Sequence, residues 1–153
     1  LLEEVRKISR GALKNIYAIA HGMCDGLKYT MNAKAFLLAL AAREMETITV
    51  AYGGKRETVY GINGLGDLVV TALGDGRNRA LGERICKENT CKFVFADKSP
   101  QTFEGVAAAK SICQFVKKKK IKAPIAEMVY NVLYKGAEPC GTLENFFINI
   151  NLK

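Results

Sequence analysis

The sequence predicts an all-helical fold. Apolar residues recur at spacings of three and four along most of the chain, and they almost nowhere alternate with the period of two that a half-buried strand requires. The one strand candidate is KFVFA at 92 to 96, a short run rich in aromatic and β-branched side chains. No dinucleotide fingerprint follows a strand either. GLGDLV at 64 to 69 and GDGRNR at 74 to 79 each supply Gly-x-Gly without the third glycine, and both read as loops.

Residues 2 to 24 read as one long helix, with Val5, Ile8, Ala12, Ile16, Ile19 and Met23 on its apolar face. A second helix is expected from Asn32 to about Ala51, carried by Ala35, Leu38, Ala42, Met45 and Thr49 and stopped by YGG at 52 to 54. Short elements follow: KRETVYG as two turns, GLGDLVVTAL as a buried turn or short helix, and RNRALGERICKEN as an amphipathic helix leaving the LGDG loop. Glu104 to about Lys119 presents Val106, Ala109, Ile112, Cys113 and Val116 on one face, and Lys117 to Lys120 stand at its C-terminus, where cations suit the dipole. Pro124 opens the next helix, whose period runs through Ile125, Met128, Val129, Val132 and Leu133 to Lys135 and Gly136. A last helix is expected from Thr142 to about Ile150.

A chain of 153 residues can bury one sizeable core unaided, so residues 1–153 are expected to form a single helical domain. A 49% hydrophobic, 25% charged composition with 3 prolines belongs to a globular protein rather than a disordered or fibrous one. The longest apolar run, AFLLALAA at 35 to 42, is far too short for a membrane span, and no leader-like stretch is visible; the expected setting is soluble and cytoplasmic. Five cysteines (Cys24, Cys86, Cys91, Cys113, Cys140) are odd in number and form no CxxC pair, which speaks against a disulfide framework and against a zinc site. The chain opens Leu-Leu-Glu-Glu without an initiator methionine, so further chain is expected to precede it. A net charge of +8 favours anionic ligands without choosing among phosphates, nucleic acids and acidic surfaces.

Three pieces can carry chemistry. In GALKN, Lys14 shares a helical face with Lys7, Arg10, Ala18, His21 and Asp25, which reads either as a solvated polar stripe or as the border of a cleft. Asn15 shares its own face with Gly11, Ala18 and Gly22, small residues that admit a close backbone or ligand. In GLGDLVVTALGDGRNR, glycines surround Asp67, and Arg77, Asn78 and Arg79 stand at a helix start. That is the outline of an anion site, or a glycine-rich connector before a basic surface helix. In QTFEGV, Glu104 can simply cap a helix. His21 has no nucleophile that spacing nominates, and a structural or surface role suits it better.

Taken in order, GALKNIYAIAHGMCDGL, NAKAFLLALAAREMETITVAYGG, GINGLGDLVVTAL, GRNRALG, EGVAAAK and PIAEMVYNVLYKG resemble the C-terminal domain of bacterial-type NAD(P)-dependent glycerol-3-phosphate dehydrogenase over nearly the whole chain. The resemblance implies a helical domain of the type shared with 6-phosphogluconate dehydrogenase, joined to an N-terminal Rossmann domain that these residues do not include. The implied activity interconverts sn-glycerol 3-phosphate and dihydroxyacetone phosphate with NAD or NADP, bound mainly by that other domain; this chain alone is expected to be inactive.

Carried over by position, Lys14 matches the proton-transfer lysine, and Asn15 and Thr71 match polar residues beside it. Asp67 matches the carboxylate near the lysine. Arg77 and Asn78 match the pair that grips the substrate phosphate, with Arg77 also near the cofactor, and Thr102 and Glu104 match cofactor-side positions. Two residues depart from the family pattern. Gly76 replaces a serine before the Arg-Asn pair, so a hydroxyl contact to substrate is lost or passes to backbone, and Thr102 replaces a valine. A lysine suits alcohol–ketone chemistry because it can take the hydroxyl proton in one direction and return it in the other. Lys7 and Arg10 on its face would help a neutral amine, and Asp67 the charged one.

Other readings are a related hydroxy-acid dehydrogenase domain, which the glycine loop followed by Arg77 and Asn78 disfavours, and a basic helical binding module. The module lacks a nucleic-acid reading motif or stacking platform, so no nucleic acid is expected as partner. The sequence permits a homodimer without fixing the oligomeric state.

Overall fold

A computed structural model describes residues 2–96 and 103–150, with side chains from residue 11 onward. Nine α-helices and one π-helical turn account for its regular structure, and no strand occurs among the described residues. In order they are α1 Leu2–Gly26, α2 Met31–Ala51, α3 Arg56–Val59, the π-turn Ile62–Gly66, α4 Asp67–Leu73, α5 Arg77–Glu88, α6 Lys92–Ala96, α7 Glu104–Lys119, α8 Pro124–Tyr134 and α9 Pro139–Asn149.

Helix α1 is the axis of the fold: α2, α4, α5, α7, α8 and α9 all pack against it. From Leu13 to Cys24 every residue but Lys14 is buried. A helix apolar nearly all round belongs in a core, and between Lys14 and Asp25 this one carries only apolar or small residues besides the buried Asn15 and His21. The solvated polar stripe is therefore not present there. His21 lies fully buried, its Nδ1 2.8 Å from the Tyr17 carbonyl, and burial lowers its pKa, so it sits in the core as a neutral ring.

The closest packing is between α1 and α5, and glycine makes it possible. A Cβ on Gly22 would stand 1.9 Å from the Arg79 carbonyl oxygen, and one on Gly82 would stand 1.9 Å from that of Ile19. The small-residue face of α1 thus receives α5's backbone at the Gly22 end.

Helix α2 lays Leu37, Ala41, Met45 and Ile48 against the core, and Gly53 at φ 82° ends the segment beyond Tyr52. It also sends a carboxylate inward. Glu44 accepts the amide N–H of Ile125 at 2.8 Å and of Ala126 at 3.0 Å, capping the buried start of α8 from a neighbouring helix. On α7 and α8 the expected apolar positions are all buried, and Lys117 to Lys119 occupy α7's last turn.

Two expectations are corrected. KFVFA forms the short helix α6: Val94 N–H bonds the Cys91 carbonyl, and Phe95 tilts against Tyr134 at 5.4 Å between ring centroids. Five residues are too few for periodicity to separate a helical turn from a strand, and no neighbouring strand among the described residues supplies a ladder. Helix α9 starts at Pro139 rather than Thr142, because Glu138 is the N-cap, accepting from Gly141 N–H at 2.7 Å, and Pro139 fits the first turn. The cysteines carry no disulfide; Cys24, Cys86 and Cys113 are buried, and Cys91 and Cys140 are partly so. No helix among the described residues is long and apolar enough to cross a membrane.

Candidate functional site

The starts of three helices, α4, α5 and α7, pack against α1 near the first charged residue of its buried part. Lys14 Nζ donates to Asp67 Oδ2 at 2.7 Å, with the two side chains 25% and 43% exposed. An ion pair this accessible adds little stability, so its consequence is orientation. Asp67 is the first residue of α4, where the helix dipole favours an acid. The π-turn that precedes it brings Gly64 so close to α3 that a Cβ there would stand 2.1 Å from the Val59 carbonyl oxygen.

The next residue of α1 reaches the other way. Asn15 is buried, and its Nδ2 donates to Glu104 Oε2 at 2.8 Å on the first turn of α7. Glu104 therefore bonds a side chain of α1; the N-cap position is Phe103, which has no side-chain cap bond. From α5, Asn78 Oδ1 accepts Gly105 N–H at 3.1 Å. A Cβ on Gly105 would stand 2.8 Å from the Asn15 carbonyl oxygen, Asn78 Oδ1 and Ile19 Cδ1, so only glycine lets α7 start in this crevice.

Arg77 is exposed as the first residue of α5 and makes no ion pair among the described residues. Gly76 is the N-cap, in extended conformation, with no side chain to bond the first-turn amides. Thr71 lies one turn beyond Asp67 on α4, and its carbonyl oxygen is 3.9 Å from where a Cβ on Gly76 would be.

Direct bonds thus join Lys14 to Asp67 and Asn15 to Glu104, and Asn78 bonds Gly105, the residue after Glu104, with Thr71, Gly76 and Arg77 on the neighbouring ends of α4 and α5. Thr102 and its expected cofactor contact lie outside the described residues, as do the side chains of Lys7 and Arg10. Sequence reasoning missed a network beside the site. Arg79 joins Asp25, and Asp25 also takes Lys34 Nζ at 2.8 Å. Only the i,i+4 spacing of Asp75 and Arg79 hints at it; nothing in the spacing pairs Asp25 with residue 79.

An ammonium carries three N–H donors, and Asp67 occupies one, so Lys14 keeps others for an oxygen placed beside it. Arg77 offers a planar fork for a phosphate nearby. The arrangement suits proton transfer to or from an oxygen on a substrate that carries an anionic end. Among the described residues no cluster of His, Cys, Asp and Glu is placed to hold a metal ion.

The model of a family described as the NAD-dependent glycerol-3-phosphate dehydrogenase C-terminus matches residues 9–144. Glycerol-3-phosphate dehydrogenase (NAD(P)+) of Thiobacillus denitrificans is 40% identical over 127 residues, covering 82% of this chain and 38% of the relative. That of Nitrosococcus oceani is 41% identical over 135 residues, covering 88% of this chain and 39% of the relative. In structure, a crystal structure of glycerol-3-phosphate dehydrogenase from Coxiella burnetii superposes with a TM-score of 0.83 at 32% identity, covering 91% of this chain and 43% of that one. The chain spans about two fifths of the length of the curated relatives it matches.

Proposed function

The chain belongs to the NAD-dependent glycerol-3-phosphate dehydrogenase C-terminal family, and from that premise we propose that it is the substrate domain of an enzyme interconverting sn-glycerol 3-phosphate and dihydroxyacetone phosphate. The observation that carries the reading is the Lys14–Asp67 pair at 2.7 Å between α1 and α4, with α5, which starts at Arg77 and Asn78, packed against the same α1. In this reading residues 1–153 act as one helical domain that works with an N-terminal Rossmann domain.

Lys14 Nζ gives a proton to the ketone oxygen in the reducing direction and takes it from the alcohol in the other. Asp67 holds the amine in place, and Asn15 and Thr71 serve as the polar residues beside it. Arg77 grips the phosphate with Asn78, and the extended backbone of Gly76 stands where a serine hydroxyl would contribute a further bond. The nicotinamide cofactor, NAD or NADP, supplies or accepts the hydride when bound. On this chain the donor set suits its rim: Arg77 is an exposed cation, and Glu104 is an exposed carboxylate with one oxygen held by Asn15. Arg77 and Glu104 would therefore be its contacts here, and Thr102, by the family resemblance alone, a third. A homodimer in the cytoplasm is part of the proposal.

The test is NADH oxidation by the two-domain enzyme with dihydroxyacetone phosphate and with dihydroxyacetone. The phosphate ester is expected to have a kcat/KM at least about a hundredfold higher, because an anionic end met by a buried or forked cation is worth several kcal/mol. Equal rates, or turnover only with carboxylate-bearing keto acids, would contradict the assignment.

A further inference from the structure

The loop Gly74-Asp75-Gly76 joins the helix that carries Asp67 and Thr71 to the helix that starts with Arg77 and Asn78. Two glycines in three residues would leave such a corner loose. One side chain closes it. Arg79 Nε donates to the Gly74 carbonyl at 2.6 Å, Nη1 donates to Asp25 Oδ2, and Nη2 donates to Asp75 Oδ1 at 3.2 Å.

These bonds differ in weight. Asp75 is fully exposed, so its bond is screened by water and holds little. Asp25 is different: its side chain is 15% exposed, that of Arg79 21%, and that of Lys34, which binds the other Asp25 oxygen, 17%. A charge-assisted network of this depth has a fixed geometry, because losing one member strands its partners in a partly dry site. It is anchored on α1 by Asp25 and on α2 by Lys34, and the Gly22 and Gly82 contacts press α5 against α1 one turn away. The corner before Arg77 is therefore tied to the two long helices through the Arg79 guanidinium.

We infer that Arg79, held by Asp25 and Lys34, is a positioning residue for the substrate phosphate: through the Gly74 carbonyl it fixes the loop that aims Arg77 and Asn78. The inference rests on the reading of Arg77 and Asn78 as the phosphate grip. All three nitrogens of the Arg79 guanidinium already bond the corner and α1, through Gly74, Asp25 and Asp75, which turns the group toward them, so it acts on the substrate through its neighbours and not by touching it.

The experiment uses the two-domain enzyme with Arg79→Lys, Arg79→Gln, Asp25→Asn and, as control, Arg77→Ala. Lysine keeps the charge but cannot bond Gly74 and Asp25 together in one fork. Arg79→Lys is expected to raise KM for dihydroxyacetone phosphate about tenfold, with kcat and KM for NADH within about twofold. Asp25→Asn should do the same, and kcat/KM for dihydroxyacetone, which has no phosphate to grip, should stay unchanged. A merely structural role would lower the rate with both substrates alike, and that result overturns the inference. If Arg77→Ala raises KM but Arg79→Lys and Asp25→Asn do not, Arg79 has no positioning role while the phosphate grip stands. If Arg77→Ala itself leaves KM unchanged, the grip reading falls and the inference with it. Should Arg79→Gln fail to fold, the Arg79→Lys and Asp25→Asn pair decides.

Discussion

Asn15 Nδ2 lies 2.8 Å from Glu104 Oε2, a bond between residues 89 apart that fastens the start of α7 to the residue following Lys14. Asn15→Ala removes the donor and leaves a carboxylate that water can still reach, at a cost of about 1 to 2 kcal/mol. Asn15→Asp is expected to be worse at neutral pH, because it sets two carboxylates against each other. Urea denaturation of both variants at pH 7 checks the order; an Asp variant as stable as the Ala variant would show that the contact is not made in solution.

Glu44 gives the fold a pH dependence. Burial pushes its carboxyl from an ordinary value of 4.5 up to about 7, against the lowering effect of the Ile125 and Ala126 amides, and Glu127 adds a further upward push. The folded state then holds a proton that the unfolded chain has already lost between those values. Stability is fully present below about 4.5, falls as pH rises toward 7, and levels off above it, by an amount on the order of 3 kcal/mol. Glu44→Gln is expected to flatten this slope in denaturant titrations at pH 5, 6, 7 and 8. His21, whose lowered pKa gives stability the opposite slope in this window, is the same in both proteins, so a Glu44→Gln variant whose slope matches that of wild type would contradict the assignment.

Two glycines of α1 should respond in opposite directions to the same substitution. Gly11 has nothing within 4 Å of a Cβ, so Gly11→Ala removes a poor helix former at no steric cost and gains up to about 1 kcal/mol. Gly22→Ala drives a methyl to 1.9 Å from the Arg79 carbonyl and forces α5 away, at about 1 to 3 kcal/mol or more. Thermal melting of the two variants separates them; destabilisation of similar size in both would mean that α1 and α5 do not cross as described.

The long helices were legible because each repeats its apolar spacing over three turns or more, which is why the faces of α7 and α8 coincide with the expected ones. Helix α6 was not, since KFVFA satisfies both periods at five residues. The true start of α9 was hidden behind Glu138, an uncommon cap residue, although Pro139 marked it. On α1 the polar spacing of Lys14, His21 and Asp25 looked solvated because spacing says nothing about how many helices surround an element, and here six do. The site residues Lys14, Asp67, Arg77 and Asn78 stood out by type, but only the family resemblance put them together. Arg79, Asp25 and Lys34 escaped because their bonds run between three helices, and such pairing leaves no trace in local order.

Lys14 is the residue on which the proposed chemistry depends. The most direct test is the kcat of Lys14→Ala in the two-domain enzyme with dihydroxyacetone phosphate and NADH, measured beside its melting temperature. The account predicts a fall of at least about a hundredfold, in the range expected for loss of a general acid, with melting close to wild type because the Asp67 ion pair is half-exposed. A Lys14→Ala enzyme that keeps its kcat within about twofold of wild type would contradict the assignment of proton transfer to this lysine.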